Sequence, residues 1–128
     1  METFNIQLAA LILVVIFVAI AIFQMLLILG YPVGEYAMGG ENKVLPGKFR
    51  LVSIVNAALL LGMATVVLHH TSFLTTFDMP TLILMWIITS FLAINTIANL
   101  VSPGKKEKLV MTPVAGLAFL LSFLITII

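Results

Sequence analysis

The sequence contains no cysteine among its 128 residues. This absence excludes disulfide bonds, thiol redox chemistry and metal sites built from thiolates. It also excludes the four-helix membrane redox enzymes, because those enzymes depend on reactive thiols.

Charged residues are scarce as well. They make up 9% of the chain, against about a quarter of a typical soluble domain. The 62% hydrophobic share falls largely into four apolar runs, each near the roughly 20 residues that a spanning helix needs. We predict an all-α fold in one domain, residues 1–128: a polytopic, antiparallel bundle of four transmembrane helices. The predicted helices are 8–29, 51–69, 80–101 and 109–128, and the predicted cytoplasmic loops are 30–50 and 102–108.

The predicted helices contain no acidic residue. Intramembrane acids usually mark proton coupling, so small multidrug exporters, which carry a glutamate in their first helix, are disfavoured. Small fluoride channels share the helix number but not the sequence pattern. No histidine–carboxylate pair has useful spacing, and we therefore expect no enzymatic activity, no metal site and no cofactor. The net charge of +1 without a basic stripe predicts no nucleic-acid partner.

Basic residues are missing from both ends of the chain. All six lie in the two predicted loops: Lys43, Lys48, Arg50, Lys105, Lys106 and Lys108. Cytoplasmic loops of membrane proteins carry the excess of Lys and Arg. We therefore expect both loops in the cytoplasm and both termini outside.

The first loop contains an unusual stretch, "GYPVGEYAMGGENKVLPGK", with five of the eight glycines and two of the five prolines. Glycines allow positive φ and prolines stiffen the chain, so we expect an ordered cap rather than a plain linker. Long loops in compact domains are usually functional or disordered. The residues of the expected lid over a ligand are Glu35, Tyr36, Gly39 and Gly40.

Polar side chains gather in the cytoplasmic half of the predicted bundle: Gln24, Asn56, Asn95, Asn99 and Thr112. The third helix places Asn95, Asn99 and Ser102 on one face. One interpretation is that the amides hydrogen-bond between helices and hold them together. The other is a polar pocket beneath the first loop, suited to a lipid phosphate or a small polar solute.

The two halves of the chain show a weak internal similarity. "QMLLILGYP", from Gln24, and "NTIANLVSP", from Asn95, each consist of an amide residue, seven further residues and a proline. A Pro-Gly-Lys sequence leads into the next helix in both halves. The motifs are 71 residues apart before the first loop and 57 after it, so that loop is 14 residues longer than its counterpart. Either a two-hairpin pseudo-repeat of the parallel kind or chance accounts for the pattern.

The loop pattern Gly30-x-Pro32-x-Gly34-Glu35-x-x-x-Gly39-Gly40, followed by Val44-Leu45-Pro46 and Arg50, resembles a group of uncharacterised small bacterial four-helix integral membrane proteins. The second half is similar too, through Asn95, Asn99, Ser102-Pro103, Glu107 and Pro113. The resemblance implies a bacterial inner membrane and a loop richer than a linker. It transfers no function.

Two functions follow from these observations. The first is a non-catalytic accessory or interaction protein that contacts a lipid headgroup or a membrane partner through its glycine-rich loop. The alternative is a small oligomeric transporter, channel or lipid flippase that uses the amide cluster. Expected partners are membrane lipids and either further copies of the chain or a larger membrane complex.

Overall fold

The computed structural model describes residues 3–34, 46–71 and 80–127. These residues form four helices: α1 (Thr3–Leu29), α2 (Gly47–His70), α3 (Thr81–Leu100) and α4 (Lys105–Ile127). Each helix is long and apolar enough to cross a membrane. The described residues are therefore almost entirely helical, as the four apolar runs predict.

Three helices extend beyond their predicted bounds. α1 begins at Thr3 rather than at residue 8, α2 at Gly47 rather than 51, and α4 at Lys105 rather than 109. The added residues are mostly polar, including Lys105–Lys108, which were assigned to a loop. Lys and Glu are good helix formers, but they end an apolar run, so hydropathy places the helix starts too late.

The end of α1 has a glycine-dependent geometry. The Tyr31 N–H donates to the Leu26 carbonyl at 3.1 Å and the Gly30 N–H to the Leu27 carbonyl at 3.2 Å, the two bonds of a Schellman motif. Gly30 has a φ of +90°, which favours glycine. A Cβ there would lie 3.1 Å from a guanidinium nitrogen of Arg50. Gly30 therefore both ends α1 and allows the start of α2 to approach it.

The helices pack mainly as two pairs, α1 with α2 and α3 with α4, and each pair also contacts the other through α1–α4 and α2–α3. The shared core contains apolar side chains of all sizes, among them Ala10, Leu13, Phe17, Val67 and Met85. One face of α1 is buried along its length, with Ala10, Phe17, Ala21 and Gln24 at most 9% exposed.

The outward faces of all four helices carry large aliphatic side chains. Val15, Leu61, Ile83 and Leu120 are between 54% and 66% exposed. A soluble monomer rarely exposes contiguous apolar surface on this scale. The helices thus bury polar side chains such as Ser53, Thr89 and Ser122 together with apolar ones, while their outward faces are mainly apolar.

Candidate functional site

A cavity of about 500 Å³ lies between the helices. Its walls come from the last third of α1, the first two-thirds of α2, the second half of α3 and the first half of α4. The end of α1, the start of α2, the end of α3 and the start of α4 are together called the basic end below, because the described lysines and Arg50 lie there. The volume falls within the roughly 300–1,000 Å³ of small-molecule sites.

The cavity opens between α2 and α3. On that side, the lining residues Leu59, Phe91 and Val101 are 48%, 41% and 72% exposed. The α1 and α4 lining is buried or half-buried throughout, with Ala118 fully buried. The exposed lining residues thus lie on α2, on α3 and in the turn after α3, and α1 and α4 form the back wall.

All four predicted amides line this cavity: Gln24, Asn56, Asn95 and Asn99. Ser102, predicted to share a face with Asn95 and Asn99, lines it as well. Four amides from three helices thus converge on one space, as their sequence depth indicates.

The amides do not hold the helices together by bonding to one another. Within the ranges that the structure describes, no hydrogen bond joins any two of the four side chains. Gln24 is 9% exposed, and its Oε1 atom is buried with no hydrogen-bond partner. Buried polar atoms are normally paired, and an unpaired one calls for an explanation. This geometry fits a polar pocket better than interhelical adhesion.

Glu107, in the first turn of α4, is the one acidic residue among the cavity-lining residues that the structure describes. It is only 8% exposed, and it accepts a hydrogen bond from the Ser102 hydroxyl. The same Ser102 oxygen accepts the Gly104 N–H at 3.1 Å. Because Lys108 N–H bonds to the Gly104 carbonyl, Gly104 is the N-cap of α4. In a capping box, the N-cap residue and the third helical residue bond to each other directly. Here Ser102 lies between them, because its hydroxyl oxygen accepts from the Gly104 N–H and its hydroxyl donates to Glu107.

The position of Glu107 explains how a carboxyl group is tolerated there. Removing a carboxylate from water costs several kcal/mol in a protein interior. Its place in the first turn of α4 offsets about 0.3–1 kcal/mol of that cost through the helix dipole. The Ser102 hydrogen bond offsets about 1.5–3 kcal/mol more. Glu107 is therefore a stable acidic group at the edge of an amide-lined cavity.

Other expected site residues lie elsewhere. Thr112 is not among the cavity-lining residues, and its Oγ1 atom is buried without a hydrogen-bond partner. The predicted lid residues Glu35, Tyr36, Gly39 and Gly40 lie outside the described residues. The cavity is therefore defined by the helices and the turn between α3 and α4.

The half of the helices away from the basic end is closed by packing. Thr89 on α3 shares hydrogen bonds with Ser122 at 2.6 Å and Thr126 at 3.2 Å on α4. Thr126 also donates to the Ser122 carbonyl at 2.7 Å, back-bonding within its own helix. Phe17 and Val67, in the apolar core, are fully buried. The cavity thus ends against a packed hydroxyl and apolar layer.

Sequence reasoning missed Glu107 as a cavity residue. Its place in a basic stretch pointed to a solvated loop. The available signal was the pair Ser102 and Glu107, because Ser102 already shared a helical face with the two asparagines of α3. Recognising Lys105–Lys108 as the first turn of α4 places Glu107 beside that face.

No family model, curated protein or solved structure matches this chain. The cavity and the residues that line it are therefore the features of the chain that bear on its function.

Proposed function

We propose that this chain is a polytopic bacterial inner-membrane protein that binds the polar headgroup of a membrane lipid in the amide-lined cavity, without catalysing a reaction on it. Its helices run antiparallel, with both basic loops in the cytoplasm and both termini outside. It acts as an accessory protein, alone, with further copies of itself or within a larger membrane complex.

The observation that carries the proposal is the cavity itself. It combines four amides, a carboxyl group and the Ser102 hydroxyl with fourteen apolar lining residues. Ligand sites are typically mostly apolar with a few placed polar groups. A lipid offers a polar headgroup and an apolar tail to such a site.

The direction of the mouth supports a lipid rather than a water-soluble ligand. It opens between α2 and α3, beside outward faces covered by large aliphatic side chains. If these faces contact lipid tails, a lipid enters sideways without leaving the bilayer. With the basic loops in the cytoplasm, as proposed above, the cavity lies in the cytoplasmic half of the membrane.

Native mass spectrometry in mild detergent tests the proposal by counting phospholipids retained per chain. Ala98→Phe places a ring in the cavity, because Ala98 is an exposed lining residue of α3. Ala19→Phe makes the same change at an exposed α1 position outside the lining. We expect Ala98→Phe to lose a lipid that the parent and Ala19→Phe retain. Equal retention by all three would contradict the proposal. The same spectra report the number of subunits.

The second candidate is a small transporter, channel or lipid flippase, because the polar cavity also suits a moving solute. That function needs a water-accessible path from the amides to the outer side. The hydroxyl layer of Thr89, Ser122 and Thr126 stands across that direction. Cysteine at Thr126 should resist small thiol reagents if the protein only binds lipid. Reaction that increases with an added solute would favour transport.

A further inference from the structure

One buried polar atom of the cavity wall has no hydrogen-bond partner. Among the described residues, the buried side-chain atoms without a partner are Gln24 Oε1, Ser53 Oγ and Thr112 Oγ1. Of these three residues, Gln24 alone lines the cavity, and its side chain is nine-tenths buried. Glu107, the other buried polar residue of the lining, already accepts a hydrogen bond from Ser102. The wall thus offers a buried acceptor on Gln24 that the described helices do not use.

The four amides of the cavity differ in their exposure. Asn95 is exposed, Asn56 and Asn99 are half-buried, and Gln24 is buried on the α1 back wall. Apart from Gln24 and Glu107, the buried lining residues are apolar: Leu60, Met63, Leu92, Ala115 and Ala118. A ligand group that reaches Gln24 therefore leaves water and meets an uncharged amide in a largely apolar surrounding.

This environment restricts the chemistry of the ligand group. Gln24 Oε1 is an acceptor, so neither a phosphate oxygen nor a hydrocarbon chain can satisfy it. A hydroxyl and an ammonium group can both donate to it, but moving an ion out of water costs far more than moving a hydroxyl. A hydroxyl also accepts hydrogen bonds, so it can pair with either end of the amide. An uncharged hydroxyl group suits Gln24 best.

We infer that the cavity recognises a hydroxyl group in the headgroup of a phospholipid, hydrogen-bonded to the side-chain amide of Gln24, with the acyl chains leaving between α2 and α3. This inference rests on the proposed lipid-binding function and specifies the headgroup. The more exposed asparagines of the lining supply N–H donors for the phosphate of the same lipid.

The test compares three phospholipids with identical acyl chains, added to purified, delipidated protein in mild detergent and counted by native mass spectrometry. Phosphatidylglycerol has headgroup hydroxyls, phosphatidylpropanol has the same charge and headgroup length without them, and phosphatidylethanolamine has an ammonium group instead. We expect phosphatidylglycerol to bind about tenfold more tightly than phosphatidylpropanol, the effect of one buried hydrogen bond. Phosphatidylethanolamine should also bind more weakly than phosphatidylglycerol.

One variant and one matched control assign the preference to Gln24. Gln24→Met removes the amide at nearly constant length and should bring phosphatidylglycerol and phosphatidylpropanol to equal affinity. Thr112→Val removes another buried atom without a partner, at a position outside the lining, and should keep the preference. The comparison of lipids on the parent protein needs no variant, so it tests the hydroxyl even if Gln24→Met does not fold.

The outcomes separate this inference from the function on which it rests. If Ala98→Phe loses the lipid but the parent binds phosphatidylglycerol and phosphatidylpropanol equally, the binding site stands and the hydroxyl is overturned. Equal or tighter binding of phosphatidylethanolamine also overturns it. A preference that survives Gln24→Met overturns the role of Gln24. Lipid binding that Ala98→Phe does not alter overturns the cavity as the site. Displacement of the lipid by free glycerol would overturn the phospholipid as the source of the hydroxyl, and retention of the lipid supports it.

Discussion

The unpaired oxygen of Gln24 gives the sharpest prediction, because the two interpretations of the amides require opposite outcomes. If the amide held helices together, its removal would destabilise the protein. If the amide instead bonds to a ligand, its removal stabilises the unliganded protein, because a buried oxygen without a hydrogen-bond partner is lost. The substitution Gln24→Met removes the amide and keeps a flexible side chain of similar length.

The expected magnitude follows from burial. A buried polar atom without a partner costs about 1–3 kcal/mol. In membranes the lower figure applies, since polar groups of the unfolded chain also find partners there. We therefore expect Gln24→Met to stabilise the delipidated protein by about 1 kcal/mol. A free lipid concentration of 100 times the dissociation constant stabilises the parent protein by about 2.7 kcal/mol. Gln24→Met should lose much of that lipid-dependent stabilisation.

Thr112→Val is the matched control. Thr112 Oγ1 is also buried without a partner, but Thr112 does not line the cavity. The control should stabilise the delipidated protein in the same direction and keep the full lipid-dependent increment. Both free energies are measured by reversible unfolding in mixed detergent micelles. If Gln24→Met destabilises the protein by about 1 kcal/mol, or leaves the lipid-dependent stabilisation unchanged, Gln24 does not contact the ligand as proposed.

Three further predictions concern orientation, packing and the first loop. With no native cysteine, a single cysteine at Lys108 should be shielded from an impermeant thiol reagent in intact cells, and one at Thr75 should react; the reverse labelling contradicts the orientation. Thr89→Val removes contacts to the α4 hydroxyls and should lower stability by about 1 kcal/mol, at roughly 0.6 kcal/mol for each membrane hydrogen bond; an unchanged unfolding free energy contradicts that packing. If the first loop covers the cavity, the effects of Glu35→Gln and Asn95→Ala on the free energy of unfolding should couple by about 0.5 kcal/mol or more in a double-mutant cycle. Simply additive effects would contradict a lid formed by that loop.

The helices were predictable because length and apolarity alone define a spanning segment. Their starts were not, because a helix continues into polar helix formers that a hydropathy pattern treats as loop. α4 shows the difference most clearly: its first turn contains three lysines and Glu107. The error matters, since it separated the acidic cavity residue from the helix that positions it.

The convergence of the amides was predictable from depth and period. Asn95 and Asn99 are one helical turn apart, and Gln24 lies at a similar distance from its own helix end. Whether they bonded to each other was not predictable, because that depends on how far α2 and α3 separate at the basic end. The place of Thr112 depends on the rotation of α4, which its pattern leaves open between two adjacent faces.

The most direct test of the central claim is to locate a lipid headgroup on the chain. The protein is reconstituted with a phospholipid that carries a photoreactive group in its headgroup, irradiated, and mapped by peptide mass spectrometry. We expect adducts on cavity residues such as Met111 and Asn95, within the helices, and we expect Ala98→Phe to suppress them. Adducts confined to the helix ends around Lys48 and Lys105, unchanged in Ala98→Phe, would contradict it.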